Sequence, residues 1–136
     1  LNEKLKYLDE WNNNRSYAAE QYNKQLKDLP IVLPVEPHWS TVSVYHLYVI
    51  RTEQRDKLQQ FLNKKDIQTG IHYPIPIGEQ KLYKKDNLTT KGLINTMGWK
   101  DKLLSLPMHP FLTENEIDYV CNSIKEFYDT LKGDIT

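Results

Sequence analysis

The stretch "TGIHYPIPIGEQKLY", residues 69–83, gathers the side chains best suited to holding a small molecule. His72 and Tyr73 carry polar atoms at the tips of flat rings, and each can donate or accept a hydrogen bond. Gly70 permits an unusual backbone angle or the close approach of another group, while Pro74 and Pro76 stiffen the chain beyond the two rings. The run is apolar but keeps neither the helical nor the strand period, so it reads as a shaped loop or strand end. A stiff backbone with polar aromatic tips suits contact with a ligand. The same composition also suits a proline-rich connector packed under a sheet, and composition alone does not separate the two.

Other chemistry-bearing residues are scattered. The histidines, His38, His46, His72 and His109, show no His or Cys pair at metal-ligand spacing, which argues against a zinc site. Gly70, Gly78, Gly92, Gly98 and Gly133 stand apart, and none opens a helix after a strand as a phosphate-cradling loop does. Cys121 falls among core positions of a helical pattern and reads as a buried, inert thiol. The fifteen lysines sit mostly in polar surroundings such as "NKKD" and "YKKDN", the setting of solvated helix faces and not of a desolvated catalytic amine. His46 alternates with apolar neighbours and reads as a hydrogen-bonded core imidazole, and His109, before a proline, reads as part of an extended turn. Of the three arginines, Arg15, Arg51 and Arg55, Arg51 ends a strand and can reach a cleft, although a solvated strand-end charge is the commoner case.

The elements that must position these groups emerge from apolar spacing. Leu1, Leu5, Leu8, Trp11, Ala18, Tyr22, Leu26 and Leu29 predict one long helix over residues 2–28, stopped by Pro30, with the Asn12, Asn13, Asn14 run as its weak point. "IVLPVEP" is an edge or connector, and "TVSVYHLYVIR" is a strand apolar on both faces, as expected of a central strand covered on both sides. Thr52 is placed to cap a second helix with Glu53 in its first turn and Leu58, Phe61 and Leu62 on its buried side, and a strand "IQTGIHY" should come next. Residues 88–107 hold helical pieces interrupted by Gly92 and Gly98. A last helix of about four turns starts at a capping box of Thr113 and Glu116 and buries Ile117, Val120, Cys121, Ile124, Phe127, Tyr128 and Leu131. This order predicts an α+β fold, a small mainly antiparallel sheet with packed helices, in a single domain over residues 1–136: the long helix leads into an α+β unit at 31–132.

The totals narrow the function. Eighteen basic and eighteen acidic residues cancel, so no global field favours nucleic acid or anionic lipid. A single cysteine excludes an intrachain disulfide and points to a reducing, cytoplasmic setting. No apolar run reaches the roughly eighteen residues of a membrane span, and the first residues lack a signal pattern. The chain has no initiating Met and begins inside a helical pattern, as expected of a piece of something longer.

In order along the chain, "KLKYLDEWNNNR", "VYHLYVIRT", "RDKLQQFL", "TGIHYPIPIGEQKLY" and "LLSLPMHPFLTENEIDYV" resemble the C-terminal part of the DegT/DnrJ/EryC1/StrS family of pyridoxal-phosphate-dependent nucleotide-sugar aminotransferases. The blocks touch most of the chain from Lys4 to about Phe127. The resemblance implies the small domain of a fold-type I aminotransferase. Its large domain, absent from this chain, would supply the Schiff-base lysine, the acid on the pyridinium nitrogen and most of the phosphate grip. It implies pyridoxal phosphate as cofactor of the full-length protein, a nucleotide-linked keto sugar and an amino-acid donor, commonly glutamate, as substrates, an amino sugar for polysaccharide or a glycosylated metabolite as product, and a homodimer. His72 and Tyr73 are the implied substrate-binding wall; no catalytic, cofactor-binding or metal-binding residue is expected within the chain, and the fragment alone is expected to be inactive. Two positions depart from the family pattern. Gly78 stands where the family often has His, which removes any contact made by that imidazole, and Asp66 stands where a Gly often ends the second helix. A stand-alone sugar- or protein-binding module derived from this fold is the alternative, and regulatory use of the fold is a third possibility.

Overall fold

Helices cover one face of a short antiparallel ladder in the computed structural model, which describes residues 1–36, 43–84 and 93–133. In chain order the elements are α1 (Asn2–Leu5), α2 (Leu8–Leu26), β1 (Tyr48–Arg51), α3 (Arg55–Asn63), a 3-10 turn (Ile77–Glu79), α4 (Lys81–Lys84), α5 (Ile94–Trp99), β2 (Leu103–Leu106) and α6 (Glu114–Gly133). The sheet is antiparallel, with Tyr48 opposite Leu106 and Ile50 opposite Leu104. Single bridges extend it on both sides, Val32 to Arg51 and Gly70 to Ser105. This is the expected α+β class.

The ladder has two unlike faces because successive side chains alternate. Tyr48, Ile50, Leu104 and Leu106 are buried in the core with Ala18, Ala19, Tyr22 and Leu26 of α2, Leu58 and Leu62 of α3, and Ile117, Val120, Cys121, Ile124, Phe127 and Tyr128 of α6. Helix α6 packs on both α2 and α3. Val49, Arg51, Leu103 and Ser105 occupy the alternate positions and so belong to the other face. Two tyrosines fasten the core: Tyr22 Oη donates to the Pro107 carbonyl at 3.0 Å, and Tyr48 Oη donates to Asn23 at 2.6 Å. Burial raises the pKa of both phenols, which stay protonated donors.

Several sequence expectations need correction. The long helix is interrupted at Lys6 and Tyr7, not at the asparagines, and ends at Leu26. Leu1, Leu5, Tyr7 and Leu8 are exposed, so no packing holds the first turn in line, whereas burial of the Ala18 to Leu26 face carries the Asn run through against its propensity. The central strand begins only at Tyr48, because Tyr45 takes a left-handed φ of 43° and the chain bends at His46 and Leu47. Val44 and His46 are exposed, so His46 is no core imidazole. The strand expected at "IQTGIHY" reduces to the one bridge at Gly70. Thr52 does not cap α3, which starts at Arg55 after Gln54; its hydroxyl accepts from the Gln54 N–H in the preceding turn. His38, Gly92, Thr41 and Val42 lie outside the described residues.

The α6 capping box forms as expected: the Thr113 N–H donates to Glu116 Oε2 at 2.8 Å, and the Glu116 N–H donates to Thr113 Oγ1 at 3.3 Å. Helix α6 runs for 20 residues, longer than the four turns expected. At the end of α3, Asp66 takes a φ of 59°; its N–H reaches the Asn63 carbonyl and the Ile67 N–H reaches the Leu62 carbonyl, closing a Schellman motif. Among the described residues no helix is long and apolar enough to cross a membrane.

Candidate functional site

Ser105 organises the face of the ladder opposite the core. Its backbone exchanges two hydrogen bonds with Gly70, at 3.0 and 2.8 Å, and its hydroxyl lies 2.9 Å from Nδ1 of His72. One buried serine thus holds both ends of the turn that presents the imidazole. The His72 ring lies over Gly70 so closely that a Cβ there would sit 2.5 Å from its Cε1. Gly70 is needed for close approach and not for a left-handed backbone. The bond to Ser105 fixes the ring orientation and occupies Nδ1, so Nε2 is the nitrogen left for a ligand. Tyr73 is next, with its ring perpendicular to that of His72 and the centroids 5.9 Å apart, and it is 79% exposed.

A groove of about 470 Å³ runs from these two rings past Pro76, Ile77 and Gly78 to Trp99 and Lys100. Its floor includes Leu103, on the same face as Ser105. Lys100 Nζ donates to both carboxylate oxygens of Glu79, at 2.8 and 2.9 Å, and Glu79 raises its pKa. Arg51, expected as a solvated strand-end charge, instead places its guanidinium 4.5 Å from the centre of the Trp99 ring. Among the described residues the groove is therefore walled mainly by aromatic and aliphatic surface, with Lys100 already paired. Such a lining suits the flat, partly apolar faces of a sugar ring better than a naked anion. Sequence reasoning singled out His72 and Tyr73 but missed Ser105, Trp99 and the Glu79–Lys100 pair. Ser105 had a signal, since "LLSLP" is a short apolar run before a proline, but such a run does not distinguish strand from helix.

A second cavity, of about 580 Å³, lies over Asp66, His109, Glu116 and Tyr119. It is larger, but three of its polar groups serve the local fold: His109 Nδ1 accepts from the Phe111 N–H, Glu116 completes the helix cap, and Tyr119 Oη donates to the Lys65 carbonyl. His109 is a turn residue, as expected. Cys121 is fully buried and its thiol is pushed up to about 12 by desolvation, so it carries no nucleophilic thiolate near neutral pH.

The described residues do not fit a pyridoxal phosphate site. Among the described side chains no lysine is buried, so none of these has the desolvated setting that would favour a neutral amine. The groove's lysine is held as a cation by Glu79.

Comparison with known proteins places this geometry. The sequence model of the DegT/DnrJ/EryC1/StrS aminotransferase family matches residues 1–125. The chain is 37% identical over 126 residues to the erythromycin biosynthesis sensory transduction protein EryC1 of Saccharopolyspora erythraea, covering 92% of this chain and 34% of that protein. It is 34% identical over 125 residues to a dTDP-3-amino-3,4,6-trideoxy-alpha-D-glucose transaminase of Streptomyces venezuelae, covering 91% and 33%. Among solved structures, a DegT DnrJ EryC1 StrS aminotransferase from Brucella abortus superposes with a TM-score of 0.86 at 34% identity, over 93% of this chain and 34% of that one. The chain spans about a third of the length of the curated relatives it matches.

Proposed function

Because the chain belongs to the DegT/DnrJ/EryC1/StrS aminotransferase family, we propose that it is the C-terminal small domain of a sugar aminotransferase whose pyridoxal phosphate is held by polypeptide outside it. The whole protein moves an amino group, from glutamate as the proposed donor, to the keto group of a nucleotide-linked sugar in polysaccharide or amino-sugar biosynthesis. It acts as a cytoplasmic homodimer, and this chain alone is inactive. The cofactor supplies the electron sink for that transfer. The similarity to a named nucleotide-sugar transaminase supports the substrate class.

Within this chain the proposed task is positioning. His72, oriented by Ser105, offers a hydrogen bond to a sugar hydroxyl, and Tyr73 offers a ring face and a phenol. Together with the groove they line one side of the substrate and exclude water, which contributes to rate through orientation and not through bond-making. The observation that carries this is the placement of both rings at an open surface, with His72 anchored from beneath by the buried Ser105. A regulatory use of the same groove is the second reading, favoured by the description of one relative as a sensory transduction protein.

Incubating the intact protein with pyridoxal phosphate, glutamate and a panel of nucleotide-linked keto sugars tests the proposal. Transamination of at least one sugar is expected, with KM raised about tenfold by Tyr73→Ala. Binding of a nucleotide sugar without turnover would replace the enzymatic reading with the regulatory one. A lysine-linked pyridoxal absorbance band formed by this chain alone would overturn the assignment of the cofactor to other polypeptide.

A further inference from the structure

Helix α5 is unusual in how it is held. It is 6 residues long and contributes no buried residue to the core, yet it ends in Trp99, next to Lys100, both of which line the groove. Ile94 is 81% exposed, so apolar burial does not fasten this wall. Two charged contacts from separate elements meet its C-terminal end instead. From below, Arg51 of β1 lies under the Trp99 ring, on the ladder face that also carries Leu103 and Ser105. From across the groove, Glu79 at the end of the 3-10 turn takes two hydrogen bonds from Lys100. The Lys100 and Glu79 side chains are 25% and 28% exposed, so the pair is less screened than one at an open surface. Among the described residues Arg51 has no carboxylate partner, which leaves its cation to the indole.

We propose that Arg51 and Glu79 are positioning residues of the groove: they fix the end of α5, so that Trp99 and the stem of Lys100 form a set wall facing His72 and Tyr73. Neither touches the reacting atoms. Their effect is on how tightly the sugar is held, and this part of the inference rests on the groove being the sugar-binding wall proposed above. A wall held by charge and not by burial opens locally at low cost when one contact is removed, while the core stays folded.

The test uses the intact protein, its Glu79→Gln and Arg51→Met variants, and Arg51→Lys as the conservative replacement that keeps a cation over the ring. Amide hydrogen exchange at residues 94–100 is expected to speed up about tenfold in Glu79→Gln and Arg51→Met and to return towards wild type in Arg51→Lys, with exchange in α6 unchanged. KM for the keto-sugar nucleotide is expected to rise about fivefold in the same two variants with kcat within about twofold, the signature of lost ground-state and transition-state binding alike. Unchanged exchange at 94–100 overturns the inference, as does faster exchange with an unchanged KM. If the wild-type protein neither turns over nor binds any nucleotide sugar, the functional proposal fails separately, and the exchange data alone then decide whether Arg51 and Glu79 hold this wall.

Discussion

At residue scale the site depends on a contact between an absent side chain and a ring. Gly70 has no Cβ, and the space is filled by the His72 imidazole, whose Nδ1 reaches Ser105. Gly70→Ala must push that ring away and break the bond, while the lost hydrogen bond, worth about 1 kcal/mol, is partly offset by a stiffer unfolded chain. The expected outcome is a small stability change, within about 1 kcal/mol by urea titration, together with displaced His72 ring resonances. Ser105→Ala should move the same resonances without any clash. Unmoved resonances in both variants would show that the imidazole is not held by Ser105.

At the scale of elements, two helix ends carry separable predictions. Asp66 occupies the left-handed position of a Schellman motif that glycine adopts without steric cost. Asp66→Gly is therefore expected to stabilise the domain by about 0.5–1 kcal/mol, read as a higher urea midpoint at unchanged slope. At the start of α6, hydrogen bonds from the Thr113 backbone N–H and then its hydroxyl lower the Glu116 pKa. A carboxylate whose folded pKa is depressed contributes stability that is present above its unfolded pKa and lost as the pH falls through the folded one. Glu116→Gln keeps an acceptor but not the charge, so it should melt below the wild type at neutral pH and converge with it in acid. A gap in melting temperature that persisted in acid would contradict the assignment.

Across the whole molecule, the buried core and the proposed binding groove sit on opposite faces of one ladder. Ile124, fully buried between the helices, should cost about 2–5 kcal/mol as Ile124→Ala. Ile94→Ala, at an exposed residue beside the groove, should change stability by no more than about 0.5 kcal/mol. Thermal or urea unfolding of the two variants measures the contrast. This separation leaves the groove free to differ between related proteins without unfolding the domain.

Local patterning in the chain was enough to define the α+β class, the capping box of α6 and the burial of Cys121, and to single out the His72–Tyr73 turn as a candidate site. Each rests on period, caps or turn chemistry within a few residues. The interruption at Lys6 and Tyr7, the late start of β1 and the strand at Leu103–Leu106 were not legible, because they depend on which surfaces find a partner. Helical propensity disfavoured the Asn run, yet long-range burial kept it helical and left the apolar start of the chain uncovered. The site shows the same division. His72 announced itself by its neighbours in sequence, but Ser105 lies 33 residues away, and Arg51 meets Trp99, the last residue of α5, through a pairing that sets Arg51 opposite Leu103 at the start of β2. Such contacts are properties of register, which no short stretch of sequence contains.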